Sequence, residues 1–368
     1  MRSSERRSPG DRGPAAGPAV ALALIAAALA VAACGGTPPA SSASVGGLAG
    51  AASSLTSPVA PSPAGPVGAS ADPARTTAVS AASPTAWRST ASLLHVRLPT
   101  PLSRAVVAPD GGAVLLIGGL SAGGTTGAIL RIDPAAGTVT RIGRLASAVH
   151  DAAGAPLNGS WLVIGGGRTV AVTGVQQVTI GGSGAVSALV GSLPAPRADG
   201  AAVAAGGRVL VVGGGRGGIP DGTVLATRDG VRFARLGRLA VPVRYGAVAA
   251  LGGAVYVLGG STTSGDTNDV QRIDLATGAV RVVGHLPQAL SQATAFVLDG
   301  RLLLAGGMHA GRPTAAILAF DPATGRTRTV GSLPEAVADA GVAVIGRTAY
   351  LVGGETGAAY LASVIAVR

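Results

Sequence analysis

Tyr256-Val257-Leu258-Gly259-Gly260 is a short aliphatic run that stops at two glycines. Five more stretches end the same way: Leu115-Leu116-Ile117-Gly118-Gly119, Leu162-Val163-Ile164-Gly165-Gly166, Leu210-Val211-Val212-Gly213-Gly214, Leu303-Leu304-Ala305-Gly306-Gly307 and Tyr350-Leu351-Val352-Gly353-Gly354. Successive first glycines lie 47, 48, 46, 47 and 47 residues apart. So steady a period marks a repeat architecture, in which each unit buries its apolar faces against its neighbours.

Two further markers hold the register. A leucine stands 20 residues before each first glycine, at Leu98, Leu145, Leu193, Leu239, Leu286 and Leu333. An aspartate stands 15 residues after it at Asp133, Asp274 and Asp321, and a turn glycine follows four residues later at Gly137, Gly278 and Gly325. Repeats two and three carry Ile180 and Arg228 at the aspartate position, with Gly181-Gly182 and Asp229-Gly230 supplying other turn chemistry.

Each repeat thus reads as four short strands, and the second, apolar on both faces, belongs in a sheet covered on both sides. Four-stranded units at a period near 50, arranged radially, make a propeller. The expected fold is all-β, a six-bladed β-propeller of four-stranded blades over 87–368. In repeat six the aspartate position falls on Arg368, which leaves that repeat without a fourth strand, whereas a spare strand precedes Leu98 at about 89–97. The N-terminal strand is therefore expected to join the last blade, near 360–367, and to close the ring so that no sheet edge stays free.

The double glycine after an aliphatic strand and the aspartate turn resemble kelch repeats, and the resemblance covers essentially all of 88–368. It departs from that family in lacking the strand-four tryptophan throughout and in keeping the strand-two tyrosine only at Tyr256 and Tyr350. Aliphatic side chains take those core places.

A hydrophobic fraction of 48% and a charged fraction of 12% exclude a wholly disordered, self-repelling chain. The net charge of +11 comes from arginine alone, since lysine is absent. From Trp87 onward 23 arginines face 14 acids, spread singly, and aromatics make up only 2% of the chain. A nucleic-acid groove needs clustered cations with interleaved aromatics, so no nucleic-acid partner is expected.

The N-terminus reads as a targeting segment. Arg2, Arg6, Arg7 and Arg12 precede an apolar run from Ala19 to Ala33, short for a membrane span. Val31-Ala32-Ala33-Cys34-Gly35 resembles a bacterial lipobox. The resemblance implies a lipoprotein signal peptide over 1–33, lipidation of Cys34, and a lipid anchor at the outer face of the cytoplasmic membrane. Arg6-Arg7 leaves Sec and twin-arginine export both open. Residues 34–86, rich in Ala, Pro and Ser, are expected to be a disordered tether with a reach of roughly 40 Å.

Fourteen residues before each first glycine stand Arg104, Asp151, Asp199, Tyr245, Gln292 and Asp339, all polar in a chain dominated by Ala, Gly and Val. Repetition should set them as a ring at one mouth of the central channel, with His150 and Arg244 beside it. Such a set makes directional, charge-assisted hydrogen bonds to a polyhydroxylated or charged ligand. The loops after the glycine pairs, with Arg168, Arg216, Asp266, Asp269, His309, Arg312 and Glu355, form a second candidate surface.

No catalytic constellation stands out. His95, His150, His285 and His309 are dispersed, and the only cysteine is the anchor candidate, so neither a metal nor a cofactor is expected. The Tyr–Cys copper site of galactose oxidase is excluded and the sialidase aspartate box is absent. The leading expectation is a monomeric, non-enzymatic binding or scaffolding module for a carbohydrate, wall component or envelope protein. The alternative is a sugar-processing enzyme, mutarotase- or epimerase-like, because some bacterial envelope kelch proteins act on sugars. His150, Asp151, Arg244 and Asp339 would serve it as acid and base groups.

Overall fold

The computed structural model describes residues 87–182 and 184–368, and every regular element in it is a β-strand. The readings for 1–33, Cys34 and 34–86 lie outside the described residues. Among those described, no helix is long and apolar enough to cross a membrane.

The strands form small antiparallel sheets in a propeller-like arrangement. In one, Ala247–Leu251, Ala254–Leu258, Asp269–Asp274 and Val280–His285 lie side by side in chain order. Its second strand, quoted at the outset, is buried at every position. The strands of 294–332 repeat this order, as do those of 198–238 with an added two-residue strand, Ile219–Pro220. The fourth such sheet is built from Gly341–Ile345, Thr348–Val352 and Val364–Val367, with Ala91–Leu93 at its outer edge. Ala91, Ser92 and Leu93 pair antiparallel with Val367, Ala366 and Ile365.

The expectation of six separate four-stranded blades needs correction. Four larger sheets stand alone, and eight of the strands between Val106 and Ser192 form a single sheet, the short pair Leu120–Ser121 and Gly124–Thr125 standing apart as two other hairpins do. The physical reason is the missing aspartate turn of repeat two. That repeat instead makes a long hairpin, Gly174–Gly181 with Gly184–Ser192, whose outer strand reaches the preceding unit and forms a parallel bridge from Ala185 to Gly143. Gly143 permits the approach, since a Cβ there would lie 2.4 Å from the Ala185 carbonyl oxygen.

Other local devices recur. A register shift interrupts the pairing of third and fourth strands at Ile129/Leu130, Val175/Gln176, Val224/Leu225, Val270/Gln271 and Ile317/Leu318. Bulges of this kind increase twist at one fixed place in each unit. Asp133, Asp274 and Asp321 accept backbone N–H groups two residues on, and Asp229 does the same for Val231 in repeat three. The turn there lies one residue along, at the Asp229-Gly230 pair expected to supply it.

The glycine pair has a definite job. Gly259 sits at φ 63°, and a Cβ on it would lie 2.1 Å from the Leu290 carbonyl oxygen. Gly260 N–H donates to that same oxygen at 2.8 Å. The loop from the next repeat thus docks on the pair, and only glycine admits both the backbone conformation and the contact. At the chain ends the arrangement recurs: Gly354 N–H donates to Leu102 at 2.9 Å, and Leu98 packs over Gly353 as Leu145 packs over Gly118. All six marker leucines are buried, the most exposed at 4%.

Apolar clusters lie between consecutive units. One joins Val352 and Val364 of the last sheet to Val107 and Leu116 of the first, with Val96 and Leu98 between them. Another unites Leu302, Leu304 and Phe320 with Tyr256 and Leu258, and its Tyr256 and Phe320 rings are 6.0 Å apart.

Candidate functional site

The six ring candidates share one backbone state. Arg104, Asp151, Asp199, Tyr245, Gln292 and Asp339 all have φ between 51° and 61°, a region that non-glycine residues seldom occupy. Strain of this kind persists only where the surroundings over-determine it. Here the surroundings are the other five residues. Asp151 N–H donates to Arg104 O, Asp199 to Asp151, Tyr245 to Asp199, Gln292 to Tyr245, Asp339 to Gln292 and Arg104 to Asp339, at 2.8–3.2 Å. The six backbones therefore form an unbroken cycle of hydrogen bonds.

This cycle stands at one end of a cavity of ≈ 450 Å³. Beyond the polar residues the walls are the innermost strands, chiefly Ala, Val and Gly, from Val106 and Ala153 round to Val342 and Val344. The structure thus brings all six expected residues together.

Their side chains form two charged groups. Arg104 lies between three carboxylates: its guanidinium is 3.0 Å from Glu355, 3.4 Å from Asp339 and 3.5 Å from Asp151. Ser103 Oγ donates to the other Glu355 oxygen at 2.8 Å, and Gln292 donates to Asp339 at 2.8 Å. In the second group Arg244 grips Asp199 with Nε at 2.7 Å and a terminal nitrogen at 2.6 Å, while its guanidinium lies 4.9 Å from the Tyr245 ring centre. His150 adjoins the first group, with Nδ1 2.8 Å from Thr125 Oγ1 and Nε2 3.6 Å from Asp151.

Proton affinities follow from these surroundings. Burial, reinforced by the field of Asp199 and Glu355 and opposed by Arg104, pushes the Asp151 carboxyl up to about 7. Burial, together with Asp151, raises Asp339 well above the usual carboxylate range. Burial and then the Arg104 charge lower His150, and burial with the nearby aspartates raises the Tyr245 phenol. Burial works against the Arg104 charge, yet the Glu355 hydrogen bond and the three carboxylate fields outweigh it and raise that group. Asp151 is thus a carboxyl poised near neutrality beside the Arg104 guanidinium.

Glu355 belongs to this constellation, although its sequence position placed it with the loops. The signal for it is that Glu355 directly follows a glycine pair, and that the Ala338–Glu355 bridge lays this loop against the residue before Asp339. The other loop candidates stay outside the cycle. His285 pairs with Asp269 at 3.2 Å, and His309 contacts the Ala289 carbonyl at 2.8 Å. Among the described residues no group of three or more His, Cys, Asp or Glu could hold a metal ion.

Comparison with known proteins agrees with this architecture. Residues 242–287 match the kelch motif. The fold is a kelch-type propeller. A solved structure described as that of YjhT superposes with a TM-score of 0.64 at 16% identity, covering 74% of this chain and 99% of that one. Identity that low carries the fold and nothing more. No curated protein matches the chain. The matched segment of this kelch-type propeller is repeat four, which keeps both the aspartate turn at Asp274 and the strand-two Tyr256. Repeats two and three lack the strand-two tyrosine, repeat three moves the aspartate turn to Asp229, and repeat two, without that turn, is where the sheets fuse.

Proposed function

We propose that the chain is a six-bladed, ring-closed binding module whose channel mouth recognises a polyhydroxylated ligand, a glycan or wall component. In this reading the eight-stranded sheet is two blades joined by one bridge, and Ala91–Leu93 completes the sixth. The observation that carries it is the cycle of six backbone hydrogen bonds, which holds six polar side chains together beside a cavity. Guanidinium, carboxylate, amide and phenol groups on rigid backbone suit ring hydroxyls, each of which both gives and accepts a hydrogen bond. The lipobox-like segment supports display at the outer face of the cytoplasmic membrane.

A second reading is favoured by one feature, the carboxyl of Asp151 at about 7 beside Asp339. A carboxyl poised near neutrality, with a second carboxyl raised by burial, suits acid–base work on a sugar, as in a mutarotase or epimerase. The test is a glycan array with thermal-shift follow-up on the full chain. A specific stabilisation lost in Arg104→Ala and Arg244→Ala is expected, and no stabilisation by any glycan would remove the reading. Asp151→Ala with Asp339→Ala separates enzyme from binder: only an enzyme interconverts bound sugar anomers and loses that with both carboxyls.

A further inference from the structure

Beside the ring lies a second cavity, of ≈ 490 Å³, between two adjacent loops. Arg168 on one loop and Arg216 on the other line it, and Arg244, His150, Asp151 and Asp199 also face it. Gly217 and Gly218 complete one side, both at positive φ.

Charge accounting sets the ligand class. Asp151 is engaged by Arg104, and Asp199 by Arg244. Arg168 and Arg216 enter no ion pair among the described residues. Two guanidinium groups without an ion-pair partner among the described residues therefore line the cleft, and Arg244 lines it too, held by its aspartate. A carboxylate is satisfied by a single bidentate arginine, whereas a phosphate monoester carries nearly two charges and three acceptor oxygens. We infer that this cleft binds the phosphate monoester of a phosphorylated ligand, with Arg168 and Arg216 as its two principal donors. The inference does not depend on what the ring itself recognises.

The test is calorimetric titration of the full chain at low ionic strength with inorganic phosphate and with a hexose 6-phosphate. The unphosphorylated hexose and a hexuronate serve as comparison arms. Both phosphorylated probes should bind saturably, and Arg168→Ala with Arg216→Ala should weaken them by about tenfold or more per arginine, the scale of a charged hydrogen bond. Both side chains are exposed, Arg168 in a bend and Arg216 at the end of the strand Arg208–Arg216, so the melting temperature should be unchanged. Should it fall, Arg168→Lys with Arg216→Lys carries the test, by retaining charge and part of the affinity while Arg168→Gln with Arg216→Gln retains neither. Failure of the wild type to bind phosphate, or undiminished binding by the alanine variant, would overturn the assignment. Equal, arginine-dependent binding of the hexuronate would reassign the cleft to carboxylates. Neither arginine belongs to the hydrogen-bonded cycle, so these outcomes leave the ring proposal to its own test.

Discussion

The backbone N–H of Arg104 donates to the Asp339 carbonyl oxygen at 3.2 Å, and the guanidinium Nε of the same arginine lies 3.4 Å from the Asp339 carboxylate. One residue near the start of the folded region is thereby tied to one near its end, through both main chain and side chain. The same two residues belong to the candidate site, so its geometry rests on this closure.

Loss of the arginine should therefore be costly. Arg104→Met leaves Asp151, Asp339 and Glu355 facing one another, and removing one partner from a largely buried pair costs about 3 kcal/mol or more. The deficit, read from urea melts, should be smaller at pH 5 than at pH 7, because protonation relieves the repulsion. A deficit that does not change with pH would show that the three carboxyls do not share the arginine.

Asp151 makes stability depend on pH in an unusual direction. Its folded value, about 7, lies above the ordinary aspartate value, so the folded state holds a proton that the unfolded state has released. Stability from this group is complete below about pH 4 and is lost as pH rises to 7. His150 acts with the opposite sign, since its lowered value favours the neutral folded form and stability rises as pH approaches 6.5. Asp151→Asn should consequently gain on the wild type in chemical melts as pH goes from 5 to 7. Parallel pH profiles for the two proteins would contradict the assignment.

The glycine pair offers a contrast within one sheet. Gly252 and Gly259 both have positive φ, at 58° and 63°, but a Cβ on Gly252 would meet nothing within 4 Å, whereas one on Gly259 would lie 2.1 Å from the Leu290 carbonyl oxygen. Gly252→Ala should cost about 1–2 kcal/mol, the strain of the left-handed region alone. Gly259→Ala should cost clearly more, since the next repeat's loop must give way. Similar melting temperatures for the two variants would remove the docking role of the pair.

Leu98 and Leu145 pack over Gly353 and Gly118 in the same way, with exposures of 4% and 3%. Truncation of either to alanine should cost about 2–5 kcal/mol, as for other buried leucines. The comparison matters more than the value: a much smaller loss for Leu98→Ala would mean that the N-terminal strand is an appendage.

The repeats were legible because their markers are backbone requirements. A glycine pair under a docking carbonyl and a leucine over it admit few substitutes, so they survive in a sequence otherwise reduced to Ala, Val and Gly. The ring positions could be found by counting, because strand lengths between marker and ring stay constant. The fusion of the first two units was not legible. It depends on how far a hairpin extends once the aspartate turn is gone, and Ile180 and Gly181 do not encode that distance. Glu355 was likewise placed with the loops, because its part in the site arises from the pairing of its loop with Ala338. Asp229 shows the opposite case: the turn moved by one residue, yet Asp229-Gly230 still signalled it in the sequence.

The central claim is that the two ends of the folded region meet in one sheet and so complete the ring. Ala91 and Val367 are opposed in that pairing, flanked by mutual hydrogen bonds between Thr90 and Arg368. The chain has a single cysteine, Cys34, so Cys34→Ser supplies a clean background. In it, Ala91→Cys with Val367→Cys should form an intrachain disulfide under mild oxidation of the native protein, and reduction should lower the melting temperature. If both thiols stay free until the protein is unfolded, the ends do not meet, and the ring and its mouth are wrong together.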